Sequence, residues 1–112
     1  MIIIQSTFGN EDEAKNLIDK LVSDNHIACG TYHAINSIYK WQKEIQHDDE
    51  FEVSLYTDQS KQQGVIEYIK SNHSYELPKI TVIEPTFTTG EYEEWLKATV
   101  EQRSQILQSY LS

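Results

Sequence analysis

Apolar residues near the start of the chain predict a short strand followed by a helix. The run Ile2-Ile3-Ile4 begins a strand that ends near Thr7. Asn10 can cap a helix, and Glu13 three residues later can complete a capping box. Apolar residues then recur at helical spacing and form one apolar stripe: Ala14, Leu17, Ile18, Leu21 and Val22.

The middle of the chain predicts two unusually long strands. Strand-forming residues run from about 27 to 41 and from 45 to 57, and residues 51–57 alternate between apolar and polar. Each strand would span roughly 40 Å at about 3.3 Å per residue, about twice the usual length. The residues between them, 42–44, include no Gly, Pro or Asn for an ordinary tight turn. We therefore expect a hairpin longer than the domain that carries it.

The second half of the chain predicts a helix, a strand and two further helices. A helix begins at Ser60, with Gln63 in the reciprocal capping position, and ends near residue 72. Two prolines limit a short strand at 80–83. A third helix begins at about Gly90, and the last ten residues predict a fourth, short helix. The helical residues expected to face inward are Val65, Ile66, Ile69, Tyr92, Trp95, Leu96, Val100, Ile106, Leu107, Tyr110 and Leu111.

The order of these elements, β-α-β-β-α-β, indicates an α+β fold of the ferredoxin-like type, with an antiparallel sheet, a long central hairpin and an extra C-terminal helix. All 112 residues fit one domain. Right-handed crossovers place both long helices on one face of the sheet, which leaves the other face bare. A bare sheet face and an overlong hairpin both require a partner, and self-association is the simplest source of one.

Composition narrows the classes of function. The formal net charge of −9 repels phosphate backbones, so we expect no nucleic-acid partner. No apolar run approaches the roughly 20 residues of a membrane span, so we expect no membrane partner. The single cysteine excludes an internal disulfide, which agrees with a cytoplasmic protein. The sequence has no nucleophile motif and no glycine-rich phosphate loop, so we expect no enzyme activity.

Five features of the sequence agree with one known family in order and spacing. Each matches a motif of that family: "HIACG" (26–30) with Leu-Ala-Ala-Cys-Val, "SIYKW" (37–41) with Ser-Ile-Tyr-x-Trp, Glu50 with a glutamate nine residues after that Trp, "HSYELPKI" (73–80) with His-Pro-Tyr-x-x-Pro-Glu-Ile, and Tyr92 and Trp95 with a closing Tyr-Leu-x-Trp. These features lie between residues 26 and 95, and the match as a whole covers residues 1 to about 97. On this basis the chain resembles the CutA family of divalent-cation tolerance proteins.

The resemblance implies a tight homotrimer in which each long hairpin reaches across to neighbouring subunits and extends their sheets. It also implies a non-enzymatic role in tolerance or response to divalent metal ions, copper in particular, with a ligand or cation bound in clefts between subunits. Cys29 and His73 match residues associated with copper, and thiolate and imidazole suit copper or, as a second choice, zinc. Four further candidates would line the cleft: Glu50, Tyr39, Trp41 and Tyr75.

Each candidate also has a plain structural interpretation. Cys29 can be a small buried strand residue, and His73 a histidine at a helix C-terminus. The aromatic side chains can serve as core or interface packing. The run His47-Asp48-Asp49-Glu50 could hold a divalent cation weakly. It can also be a solvated stretch, since successive strand side chains point to opposite faces. The alternative function is a trimeric regulatory or scaffold module that binds a partner protein, as PII signalling trimers do.

Five residues depart from the family pattern, and their effect on a ligand site is open at this point. They replace residues that differ in size, charge or backbone freedom: Gly30 stands for Val, Lys43 for the Gly of a Trp-x-Gly turn, Tyr56 for Lys, Ser74 for Pro, and Lys79 for Glu.

Overall fold

Within the residues that the structure describes, four antiparallel strands and three α-helices form the fold. The computed structural model describes residues 1–111, and the side chains of residues 1–101. The elements follow in the order β1 (Ile2–Phe8), α1 (Glu11–Ser23), β2 (Cys29–Trp41), β3 (Glu44–Thr57), α2 (Gln62–Asn72), β4 (Ile80–Ile83) and α3 (Gly90–Leu111), with a 3₁₀ turn at Gln59–Lys61. The sheet order is β2-β3-β1-β4. This is the predicted ferredoxin-like arrangement with an extra C-terminal helix.

The main core lies between the sheet and the helices α1 and α2. Alternate residues of β1 and β3 point toward the helices, and Ile4, Val53 and Leu55 are fully buried there. Leu21 of α1 and Ile69 of α2 are equally buried in the same cluster. Burying side chains of this size stabilises the fold by about 1.5–3 kcal/mol each. Helices α1 and α2 therefore pack on one face of the sheet, as predicted.

The helix caps differ in part from the predicted ones. Asn10 caps α1 as expected, because its Oδ1 accepts a hydrogen bond of 2.8 Å from the Glu13 backbone N–H. The reciprocal half of the capping box is wrong, since the Glu13 carboxylate accepts hydrogen bonds from Ser74 instead. Ser60 is also not the cap of the next helix: Asp58 accepts from the Ser60 N–H at 3.1 Å and caps the 3₁₀ turn that precedes α2.

The hairpin closes through a two-residue turn made of residues that disfavour it. Trp41 pairs with Glu44, so Gln42 and Lys43 alone form the loop. Their φ angles of 50° and 71° are both positive, which is the pattern of a type I′ turn. This turn matches the twist of the two strands, although a side chain in the left-handed region costs about 1 kcal/mol or more. A tight turn therefore forms here although neither of its two residues is Gly or Asn.

Half of the hairpin extends beyond the rest of the sheet. Strand β1 ends at Phe8, opposite Phe51, so the preceding part of β3 pairs only with β2. We call this part of the hairpin, residues 35–50, the arm. It gives the chain a long dimension of 60 Å against 29 and 20 Å. Neither long edge of the arm has a strand partner in the described chain, and its exposed large apolar side chains are Ile38, Tyr39, Trp41 and Ile45.

The C-terminal helix corrects two predictions. The tail does not form a separate fourth helix, because α3 continues unbroken from Gly90 to Leu111, a segment with no internal Gly or Pro. Leu96 packs inward as expected, but Trp95 is 48% exposed. The inward positions predicted for the tail, Ile106, Leu107, Tyr110 and Leu111, lie outside the described side chains. None of the described helices combines the length and the apolar character that a membrane span requires.

Candidate functional site

The base of the arm holds a tyrosine bonded to a buried carboxylate. The loop after α2 brings the Tyr75 hydroxyl to Glu50, where it donates a hydrogen bond of 2.8 Å to Oε2. Glu50 is only 8% exposed although it is charged and ends the arm. Gly9 allows this approach, because a Cβ atom there would lie 3.3 Å from the Tyr75 oxygen. Burial, and then the bond to Glu50, raise the pKa of Tyr75 well above its ordinary value of 10.0.

A second tyrosine–carboxylate pair lies on the same face of the arm. Tyr39 donates a hydrogen bond to the Asp48 carboxylate. This bond raises the pKa of Tyr39 above its ordinary value. Asp48 and Glu50 are two residues apart on β3, so both point to the same face. Two residues of a strand span about 7 Å, so the two pairs are neighbours. We call Tyr39, Asp48, Glu50 and Tyr75 the tyrosine–carboxylate cluster.

The ring of His73 links Tyr75 to strand β1, because one ring nitrogen bonds to each. Its Nε2 lies 2.8 Å from the Thr7 carbonyl oxygen, which can only accept, so Nε2 carries the proton. Its Nδ1 accepts from the Tyr75 backbone N–H at 3.0 Å. The ring is fully buried and stacks on Phe8 with a centroid distance of 4.2 Å. A metal ion at His73 would have to displace one of these two hydrogen bonds.

Cys29 lies at the opposite end of the sheet from His73. It is half-buried and pairs with Tyr56, which in turn pairs with Ile3. His73 contacts Thr7, four residues further along the same strand, or roughly 13 Å at the usual rise of a strand. The two residues therefore cannot bind one ion within one chain. Among the described side chains, no three His, Cys, Asp or Glu residues cluster as metal ligands. The role of Cys29 and His73 as copper ligands stays a prediction.

Trp41 is separate from the cluster within one chain. It pairs with Glu44 at the tip of the arm. Glu44 and Glu50 are six residues apart on β3, or roughly 20 Å. The Trp41 ring is 47% exposed. Of the four predicted cleft residues, the structure brings together Tyr39, Glu50 and Tyr75 and leaves Trp41 apart.

Sequence reasoning missed two residues that the geometry adds to this region. Asp48 was considered only as part of an acidic run that could be a weak cation site or a solvated stretch, yet it accepts the Tyr39 hydrogen bond. Ser74 was noted only as a departure from a proline, yet its N–H and hydroxyl both donate to Glu13, at 3.0 and 2.9 Å. The alternation of β3 could have indicated Asp48 as a neighbour of Glu50 on one face. The Ser74 contact had no comparable signal, because its partner is 61 residues away in sequence.

A family sequence profile and individual relatives of this chain all indicate the same protein family. Residues 2–99 match the sequence profile of the CutA1 divalent ion tolerance protein family. The divalent-cation tolerance protein CutA of Thermotoga maritima is 34% identical over 100 residues, which cover 89% of this chain and 99% of that protein. The chloroplastic CutA protein of Arabidopsis thaliana is 30% identical over 97 residues, which cover 86% of this chain and 53% of that protein.

Solved structures agree with this relationship. The periplasmic divalent cation tolerance protein CutA from Archaeoglobus fulgidus superposes with a TM-score of 0.86 at 28% identity, covering 90% of this chain and all of that one. CutA1 from Pyrococcus horikoshii gives a TM-score of 0.82 at 29% identity, covering 86% of this chain and 94% of that one. With the motifs, the fold and these matches taken together, the chain belongs to the CutA1 family of divalent-ion tolerance proteins.

Proposed function

We propose that this chain acts in the response to divalent metal ions as a non-enzymatic homotrimer, with a cation or small ligand bound between subunits beside the tyrosine–carboxylate cluster. The observation that carries the proposal is the position of the cluster at the base of an arm that lacks a strand partner in the described chain. A neighbouring subunit that paired with the arm would turn the face carrying the cluster into a cleft.

Two properties of the arm favour completion by other copies of the chain. Its outer edges present a row of unpaired backbone N–H and C=O groups, which soluble proteins ordinarily cover. Its exposed side chains include Ile38 at 69% and Ile45 at 65% exposure, which are unfavourable in water. A second strand would satisfy the first property and a packed neighbour the second. The number of three subunits comes from the family resemblance.

The chemistry of the cluster favours a ligand that can accept hydrogen bonds from phenol groups or bind to carboxylates. Asp48 and Glu50 lie on one face of β3, and hard divalent cations prefer such oxygen ligands. Copper ions favour imidazole and thiolate. Because His73 and Cys29 are too far apart to share an ion within one chain, a copper site on either residue would need ligands from more than one subunit. The two kinds of site therefore differ in both metal preference and residues, and mutagenesis can separate them.

Calorimetric titration of the purified protein with Mn²⁺ and with Cu²⁺ tests the proposal. We expect Glu50→Gln to weaken Mn²⁺ binding at least about tenfold, because it removes one carboxylate from the site. Asp49→Asn removes the same charge from the opposite face of β3 and should leave binding unchanged. Equal affinity in Glu50→Gln and the wild type would exclude the cluster as a cation site. Unchanged Cu²⁺ affinity in both Cys29→Ala and His73→Ala would remove these residues as copper ligands.

A second candidate is a regulatory trimer that binds a partner protein. Phe87 is 79% exposed and Leu77 is 72% exposed, and both lie in loops that flank β4. A pull-down with and without divalent ions separates the candidates. A stoichiometric partner that is retained by the wild type and lost from Phe87→Ser would favour the regulatory module. Metal retained without such a partner would favour the first candidate.

A further inference from the structure

The carboxylate of Glu13 holds the loop that carries Tyr75. One carboxylate oxygen accepts from the Ser74 backbone N–H at 3.0 Å, and the other accepts from the Ser74 hydroxyl at 2.9 Å. Hydrogen bonds to an ionised acceptor are about twice as strong as neutral ones. The Glu13 side chain is only 20% exposed, so water competes weakly for these bonds. Asn10 caps α1 alone, which leaves the Glu13 carboxylate free for this contact.

Three consecutive loop residues are each attached to a different element of the fold. Ser74 is bonded to Glu13 of α1. His73 is bonded to β1 through the Thr7 carbonyl, and Tyr75 is bonded to Glu50 of β3. The ring of His73 also accepts from the Tyr75 backbone N–H, so the loop is braced internally. Loss of the middle attachment would free the backbone on which both neighbouring contacts depend.

We propose that Glu13 is a positioning residue for the tyrosine–carboxylate cluster, and that it acts through Ser74 to fix Tyr75 against Glu50. Glu13 itself makes no hydrogen bond to the cluster among the described side chains. Its effect on ligand binding rests on the proposed function, whereas its effect on Tyr75 does not. The first turn of α1 is thereby coupled to the base of the arm.

Ser74 makes this coupling possible, because it supplies both hydrogen-bond donors. A proline there, as in the family pattern, would have neither an N–H nor a hydroxyl and would hold the loop by its fixed φ angle. The preceding residue, His73, has φ −81° and ψ 138°, which is the conformation favoured before proline. The backbone thus remains suited to proline, and the Glu13–Ser74 bonds supply the restraint that the ring would have given.

Amide hydrogen exchange tests the proposal without any ligand. Glu13→Ala should increase exchange at the Tyr75 N–H at least about tenfold, because two charge-assisted bonds that hold the loop are lost. Asp12→Ala is the matched control, since it removes the same charge from the same turn of α1 and leaves Ser74 bonded. Exchange at the core residue Leu55 should be equal in both variants. Equal exchange at Tyr75 in the two variants would overturn the proposal.

Two further measurements distinguish positioning from general stability. Phenolate absorbance, corrected with Tyr75→Phe in each background, should show the pKa of Tyr75 falling toward its ordinary value in Glu13→Ala and not in Asp12→Ala. In a Ser74→Pro background, Glu13→Ala should have no further effect on the pKa of Tyr75, because the bonds are already absent. A full effect of Glu13→Ala in that background would contradict a path through Ser74. If these results hold while no variant binds Mn²⁺ or Cu²⁺, the positioning role stands and the proposed function fails.

Discussion

Gly30 is the departure from the family pattern whose consequence can be worked out most fully. A Cβ atom added there would lie 2.7 Å from Cγ2 and 3.1 Å from Cγ1 of Ile18, and 3.3 Å from Cδ1 of Ile27. Both Ile18 atoms are bonded to its Cβ, so rotation about the outer bond of the side chain moves neither. In a helix, an isoleucine has essentially one favourable χ1 rotamer. The neighbour therefore has little room to move away.

The expected cost of Gly30→Ala is the difference between two terms. Overpacking of a core by a methyl group costs about 1–3 kcal/mol. Replacing a strand glycine recovers about 0.5–1 kcal/mol of chain entropy. Because Ile18 cannot move away, the overpacking cost should lie in the upper half of its range, and we expect Gly30→Ala to lower the free energy of unfolding by about 1–2 kcal/mol. The measurement is urea unfolding at one fixed protein concentration, because the stability of an oligomer depends on concentration.

Two variants control this prediction. Gly90→Ala makes the same chemical change where an added Cβ meets no atom within 4 Å, so it should be neutral or slightly stabilising. Ile18→Ala removes both crowding atoms of Ile18 and leaves only the 3.3 Å contact with Ile27, so Gly30→Ala should cost little further in that background. The coupling between the two sites should then be about 1–2 kcal/mol. Equal stability of Gly30→Ala and Gly90→Ala would refute the close contact on which the reasoning depends.

Two further predictions concern the turn and the cluster. Lys43→Gly should raise the free energy of unfolding by about 1 kcal/mol, because glycine adopts the observed φ of 71° without a steric cost. Urea unfolding measures this change, with Lys40→Gly at a strand position as the control. A loss of stability in Lys43→Gly would contradict the prediction. Because the pKa of Tyr75 is raised in the folded chain, the unfolded chain binds fewer protons above pH 10. Stability should therefore decline as the pH rises above 10, and less steeply in Tyr75→Phe, whereas an identical decline in both would contradict the shift.

The sequence was most informative where local pattern and packing agree. The alternation in residues 51–57 predicted a strand whose apolar positions are buried, and Val53 and Leu55 are both fully buried. The Asn10 cap was predicted because it needs only a backbone N–H three residues away. The motifs spread from 26 to 95 predicted the family, and the profile match over residues 2–99 confirms it.

The failed predictions have different physical causes. Glu13 was expected to bond its own helix, but a loop 61 residues away offers two donors and takes the carboxylate. The segment from Gly90 onward was divided into two helices because the apolar residues of the tail looked like a new stripe, yet without a breaking residue the backbone of α3 continues. Trp95 was expected to face inward because aromatic residues usually do, but among the described residues no element covers it completely. The predicted cytoplasmic location stays a prediction, since one structural relative is a periplasmic protein.

Sedimentation of the purified protein across a dilution series, with circular dichroism on the same samples, tests the central claim most directly. The claim is that the arm is completed by other copies of the chain. We expect one folded species of about 39 kDa, or three chains of 13.0 kDa each, that persists down to nanomolar concentration. A folded species of 13.0 kDa at those concentrations would contradict the account, because the arm would then be stable without a neighbour.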